Sequence, residues 1–247
     1  MDGWNSFGHI WLAGQLVDFL FQRLTPRTRA ELDQRRASLG ALLPPSASLR
    51  SSSDHSGGTV ASARNGVIGM HIRGGDACSS ARFCPSNLTG SFFVKAAELR
   101  QRYGLNRILL ATDDRRAAAL CRTSPLGFDC RTLRISRRKF ESNRFIEHRV
   151  ASHETGDLSG ASVALDVLAD IDMLADCDAF VLVFRSAVSR LAYALSLARK
   201  GRHTPLASLQ WPWTLEYHKA QMKHGKRKAK GGRGSRRTNS PHGAFNA

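Results

Sequence analysis

Three apolar runs in this chain stop abruptly at polar or charged residues. Val67-Ile-Gly-Met-His-Ile72 runs into Arg73-Gly74-Gly75-Asp76. Ile108-Leu-Leu-Ala111 runs into Thr112-Asp113-Asp114, and Ala179-Phe-Val-Leu-Val-Phe184 into Arg185-Ser186, with Arg190 one turn on. Short continuous apolar runs suit strands buried on both faces, the pattern of a parallel sheet. Open α/β sheets bind ligands at the carboxyl ends of their strands, where these polar endings fall. A guanidinium, two glycines, hydroxyls and several carboxylates suit a nucleotide diphosphate whose base and ribose also need hydrogen-bond partners. The residues therefore point to a nucleotide-sugar site.

The intervening segments support this architecture. From Gly66 the pattern predicts a strand over 67–72, a glycine-containing loop, a helix over 91–103, a strand over 107–111 and a helix over 114–122. A weak strand over 129–135, a polar loop, a helix over 159–177, a strand over 179–184 and a helix over 186–200 follow. Alternation of this kind implies an α/β fold, a Rossmann-like parallel sheet with helices on both faces. Gly104 fits a helix C-cap. Upstream, Ile10, Leu12, Leu16, Phe19, Leu20 and Leu24 recur mostly at helical spacing, predicting an amphipathic helix over 8–24 that ends near Pro26. A polar helix to about Leu39 follows. The Ser-, Gly- and Pro-rich stretch from Pro44 to Ala63 has little to bury and reads as a linker or insertion. An apolar patch from Leu206 to Trp213 is expected to close the domain. The resulting division is a leading helical segment over 1–43, a linker over 44–65, a nucleotide-sugar-binding domain over 66–215 and a tail over 216–247.

The 247 residues carry a formal net charge of +17, which raises nucleic acid as a partner. Much of that charge lies between Lys219 and Arg237, a stretch without acids and interspersed with glycine. It reads as a disordered polybasic arm capable of nonspecific polyanion contact. The five cysteines form no CxxC pair and no metal-ligand spacing, so no metal site is expected. Cys78 with Cys84, and Cys121 with Cys130, are near enough in sequence to bridge, leaving Cys177 buried and unpaired. Asn87-Leu88-Thr89 is an N-glycosylation sequon, and with the cysteines it points to an oxidising lumenal compartment. The apolar stretch from Ile10 to Phe21 carries Gln15 and Asp18 and is too short to span a bilayer.

Each candidate residue has both a chemical and a structural reading. Arg73 can hold a phosphate bidentately while the glycines behind it admit the backbone, or it can pair with Asp76. His71, on the same strand face, can donate to a guanine oxygen or ribose, or sit as a satisfied core histidine. Asp113 and Asp114 can bind sugar hydroxyls or orient a cation, although Thr112 and either aspartate also suit a helix N-cap. Asp166, Asp170 and Met173 share one helix face, with Asp172 pointing elsewhere; Asp170 can accept hydrogen bonds from guanine. Ser186 begins a helix and can bind an anion there or cap it. Arg190, one turn on, reinforces that site or ties the helix to its neighbour. The absence of G-x-x-x-x-G-K-S/T, G-x-G-x-x-G and G-x-S-x-G argues against a P-loop, a dinucleotide fold and a serine hydrolase.

Taken in order, Trp11-x-x-x-Gln15-Leu16-Val17-x-x-Leu20, His71-x-Arg73-x-x-Asp76, Ala111-Thr-Asp-Asp114, Asp170-Ile171 with Asp178, and Phe184-x-Ser186-x-x-x-Arg190-x-Ala192-Tyr193 resemble the α-1,6-fucosyltransferase family. This family includes core and nodulation fucosyltransferases, and the similarity runs from about Trp11 to Arg199. The resemblance implies metal-independent, inverting transfer of fucose from GDP-fucose to a glycan hydroxyl, without a cofactor. It also implies a two-domain GT-B-like enzyme of the Golgi lumen, this chain corresponding to the C-terminal donor half. By position Arg73 is similar to the diphosphate-binding arginine, Ser186 to the phosphate-binding serine, and His71 with Asp170 to the guanine-binding pair. Asp76, Asp113 and Asp114 resemble the acids required for activity, and Arg190 belongs to the same stretch. Arg73 would then stabilise charge on departing GDP. Members often carry a second arginine where this chain has Gly74, a lysine at Ala77 and a glutamate within 77–82, where there is none; Arg185 replaces the first of two serines. Two further readings compete with an active transferase: a GDP-sugar-binding pseudoenzyme, and a basic nucleic-acid-associated protein acting through residues 219–237.

Overall fold

The computed structural model describes residues 3–43, 66–76, 87–141, 146–151 and 159–209. These belong to one compact unit that runs to Trp211. Two helices, α1 (Gly3–Gln22) and α2 (Pro26–Ala37), precede β1 (Val67–Ile72). Then come α3 (Val94–Tyr103), β2 (Arg107–Thr112), α4 (Arg115–Cys121), β3 (Asp129–Arg131) and α5 (Ile146–Ala151). The last elements are α6 (Gly160–Ala175), β4 (Ala179–Leu182), α7 (Ala187–Lys200) and β5 (Leu206–Ser208). All five strands pair in parallel, in the order β3-β2-β1-β4-β5. The chain leaves β1 toward β3 on one side and later adds β4 and β5 on the other, so the topological switch lies between β1 and β4.

The expected α/β architecture is present, and strand alternation explains its layers. Ile68, Met70 and Ile72 of β1, with Ile108, Leu110, Ala179 and Val181, face a core shared with Phe92, Phe93, Ala96 and Leu99 at α3 and with Ala117 and Cys121 of α4. The opposite face of β1 meets α6: a Cβ on Gly69 would lie 3.0 Å from both the Leu174 side chain and Cys177 Cβ. Every residue of β1 is buried, which is why it reads as an unbroken apolar run. Burying one side chain such as Phe93 fully contributes about 2–3 kcal/mol, and Phe93 is 0% exposed. Gly104 ends α3 in the left-handed conformation and donates its N–H to Arg100 O at 2.8 Å.

Several boundaries differ from the sequence pattern. The leading helix starts at Gly3 with a break at Gly8 and ends at Gln22, while Thr25 caps α2. The strand expected over 129–135 ends at Arg131, because the next residues wrap around Arg137, whose guanidinium draws the carbonyls of Leu133 and Ile135 inward. A short helix, α5, occupies part of the expected polar loop. The apolar patch from Leu206 supplies a fifth strand, too short to stand out by alternation. A disulfide joins Cys121 to Cys130, and Cys177 is a buried free thiol whose ionisation burial opposes. Cys78 and Cys84 lie outside the described residues, as do the linker and the polybasic tail.

The leading helices are part of the domain. α1 packs on α7, where Gly14 lies so close to Ala194 that a Cβ would fall 2.2 Å from its carbonyl oxygen, and α2 packs on α6. Where these helices meet, Arg36 of α2 and Arg199 of α7 clasp Asp172 and Asp176 at 2.6–3.1 Å. Asp18 of α1 adds a contact to Arg199 at 3.5 Å. Among the described residues, no helix is long and apolar enough to cross a membrane.

Candidate functional site

The carboxyl ends of β1, β2 and β4 carry the predicted residues other than Asp170, which lies on α6, to one end of the sheet. His71 is the fifth residue of β1, and its alternation directs it toward α7, where Nδ1 and Ser189 Oγ lie 2.7 Å apart. The ring is buried. Burial, with the charge of Arg73 nearby, lowers its pKa to about 3, so it is neutral at physiological pH. This contact draws the end of β1 against the first turn of α7, bringing the Arg73 loop and the Ser186 turn to the switch point. Ser189 was not singled out from sequence; its position three residues after Ser186 was the available signal.

Arg73 is part-exposed and makes ion pairs with Asp76, at 2.5 Å, and with Asp113. One guanidinium thus faces two carboxylates. Each of the three acids also holds backbone. Asp76 accepts from the Ile146 N–H at 2.6 Å, at the start of α5. Asp113 accepts from the Gly74 N–H at 2.7 Å. Asp114 caps α4 by accepting from the Arg116 N–H at 2.7 Å. Burial opposes the charge on Asp114, but hydrogen bonds from Arg116 hold its carboxyl below the usual range.

The glycines behind Arg73 serve a purpose different from the one expected. A Cβ on Gly74 would lie 2.4 Å from Asp114 Oδ2 and 2.5 Å from Asp114 Cβ, and one on Gly75 would lie 2.9 Å from Asp113 Oδ2. Gly75 also has a φ of +42°. The space that glycine vacates is filled by carboxylates, and the Gly74 N–H is committed to one of them. A second arginine at this position would require Asp114 to leave.

Beneath this loop, Thr112 Oγ1 donates to Ile72 O at 2.7 Å and accepts from the Asp114 N–H at 3.0 Å, fastening the ends of β1 and β2 together. Arg137, which the sequence left in an undifferentiated polar segment, reaches the same place: its Nε donates to Thr112 O at 3.0 Å. Burial lowers its pKa, opposed by Asp170.

Asp170 on α6 is the uncommitted acid of the group. Among the described residues no hydrogen bond or ion pair reaches its carboxyl. Burial above all, with Asp166 adding to it and Arg137 and Lys139 opposing, pushes its pKa up to about 8. Asp166 is spoken for by Arg35 at 3.3 Å and by Lys139, and Asp172 by Arg36 and Arg199. Asp178 lies at the other end of the sheet, accepting from the Val67 N–H at 2.8 Å where β1 begins.

Ser186 occupies the N-cap position of α7, but its hydroxyl makes no capping bond. It is part-exposed, leaving hydroxyl and first-turn N–H groups able to meet an anion. Arg190 donates to Phe184 O at 2.7 Å and Arg185 O at 3.2 Å, fastening the turn that carries Ser186. Among the described residues no group of His, Cys, Asp and Glu is arranged to hold a metal ion. No family model matches this sequence, and no curated protein matches it significantly.

Proposed function

We propose that this domain binds a guanosine diphosphate sugar at the β1/β4 switch point and is the donor-binding part of a metal-independent, inverting fucosyltransferase of the Golgi lumen. The observation that carries the reading is the convergence, at that switch, of Arg73 after β1 with the α7 N-terminus after β4, where the Ser186 hydroxyl makes no capping bond. In this reading Ser186 and the first turn of α7 hold the diphosphate, and Arg73 stabilises charge on the departing GDP. Asp170 supplies an acceptor for the guanine edge. His71, neutral and bonded to Ser189, positions the strand end and has its other ring nitrogen for the base. Asp76 and Asp113 orient Arg73, Asp114 fixes the helix behind it, and Arg190 holds the Ser186 turn. The disulfide Cys121–Cys130 and the sequon at Asn87 agree with a lumenal setting.

A second reading, a protein that binds the nucleotide sugar without turning it over, is favoured by the same geometry. Arg73 is already neutralised by two carboxylates, and residues 77–82 contain no acid to act as base toward an acceptor hydroxyl. Calorimetric titration with GDP, ADP and UDP in EDTA and moderate salt tests both readings. Selective GDP binding, lost in Arg73→Ala, is the expected result; unchanged affinity in that variant removes the role assigned to Arg73. Transfer from GDP-fucose to N-glycan acceptors then separates the transferase from the binding protein. If no nucleotide binds the folded chain, the donor reading fails, leaving polyanion contact through residues 219–237, recognisable by its steep loss with salt.

A further inference from the structure

We propose that the cleft between the end of α2 and the β3 edge of the sheet is a second ligand site, for a small molecule bearing clustered phosphates, built by Arg122, Arg134 and Arg137. The cleft, open to solvent on one side, offers about 590 Å³, within the range of small-molecule sites. Its walls include the Cys121–Cys130 disulfide and Leu133, and among the described residues no aspartate or glutamate lines it.

Among the described lining residues, cations outnumber acids. Arg137 is 8% exposed, and its hydrogen bonds go to Thr112 O, Leu133 O, Ile135 O and Thr132 Oγ1, all uncharged acceptors. Four of the five guanidinium hydrogens are thereby used. Arg122 and Arg134 are exposed, and among the described residues neither makes a hydrogen bond or ion pair. The fourth lining arginine, Arg131, is answered by Asp129 at 3.1 Å and by Leu39 O at 3.0 Å, so it forms wall rather than recognition surface. Burial lowers the Arg137 pKa and Arg122 adds to it, while Asp170 and Asp166, which do not line the cleft, oppose. Three guanidinium groups around one cleft, with no carboxylate among its described lining residues, favour an anion of several charges over a single carboxylate, and the planar forks match phosphate oxygens.

The backbone that carries these cations is tied down, and Arg137 itself is held by its hydrogen bonds. The disulfide ties the end of α4, next to Arg122, to β3, and the Arg137 carbonyl bonds shape the turn that carries Arg134. Prior ordering lowers the cost of binding. Neither Arg73, Asp170 nor Ser186 lines the cleft, so the inference does not rest on the donor reading, although Arg137 also bonds Thr112 O beneath the Arg73 loop.

The test uses the full oxidised chain, isotopically labelled, titrated with inorganic tripolyphosphate at physiological salt and followed by amide NMR. Saturable shifts across residues 130–137 are expected. In R122A/R134A the affinity at those residues should fall at least about tenfold, with unchanged circular dichroism and melting, while any response of residues 219–237 persists. The single variants, each expected to weaken binding severalfold, decide the matter if the double variant melts early. R73A should retain the cleft response even if GDP binding is lost. Absence of a saturable response at 130–137, or a response undiminished by these substitutions, overturns the proposal.

Discussion

Gly74→Ala puts the packing of the Arg73 loop to a direct test. The φ of Gly74 is not in the positive region, so alanine fits the backbone and the cost is one of contact alone. Its methyl would lie 2.4 Å from Asp114 Oδ2 and 2.5 Å from Asp114 Cβ, and the Asp114 side chain is only 4% exposed, so it has nowhere to withdraw without unpacking. Overpacking of this kind costs about 1–3 kcal/mol, and losing the α4 cap costs about 1 kcal/mol more. The smaller entropy of the unfolded alanine chain offsets about 0.4–1 kcal/mol. A net loss of about 1–3 kcal/mol should appear in urea denaturation as a lower midpoint with an unchanged slope. The control is the same substitution in Asp114→Gly, where the clashing atoms are gone and glycine at an N-cap costs only a few tenths of a kcal/mol. There Gly74→Ala should be neutral or stabilising, giving a coupling energy of about 2 kcal/mol. An equal cost in both backgrounds, or none in the parent, refutes the close packing of Gly74 on Asp114.

Asp172→Ala should destabilise by about 3 kcal/mol, because Arg36 and Arg199 would lose a buried carboxylate that both of them bind where α2, α6 and α7 meet; equilibrium denaturation checks this. Burial opposes the charge on Asp172, but Arg199 and Arg36 hold its pKa below the ordinary value, so its stabilisation is present above about pH 4 and lost as pH falls through the depressed value. Asp170 behaves oppositely. With a folded pKa of about 8, above its unfolded value, it contributes stability fully present below about pH 4 and lost as pH rises through 8. Asp170→Asn should therefore gain on the parent between pH 5 and pH 9, by roughly 1–3 kcal/mol allowing for its partial exposure; an identical difference at both pH values would remove the raised pKa. Replacing Cys121 and Cys130 together by alanine opens a loop with a sequence separation of 9 and should cost about 2–3 kcal/mol, read as a drop in melting temperature that reducing agent reproduces only in the parent.

The sequence by itself determined the layered α/β architecture. Its buried strands have no polar face to turn outward, so β1, β2 and β4 read as unbroken apolar runs, and helical spacing marked most of the connecting elements. It also determined that polar residues collect at the carboxyl ends of those strands. Tertiary structure decided what these residues do there. Nothing in the order Arg73-Gly74-Gly75-Asp76 says that Asp113 and Asp114, about forty positions away, fill the space beside the glycines, because strand pairing sets that proximity. Likewise, Asp166, Asp170 and Asp172 stand on one helix, yet among the described residues only Asp170 makes no ion pair. The arginines and lysine that answer the other two come from α2, α7 and the segment before α5. Arg137 and β5 were invisible for the same reason: a carbonyl-lined pocket and a three-residue edge strand exist only after distant segments have packed. Local sequence specifies periodicity and residue type, but the partner of a buried charge is a property of the assembled fold.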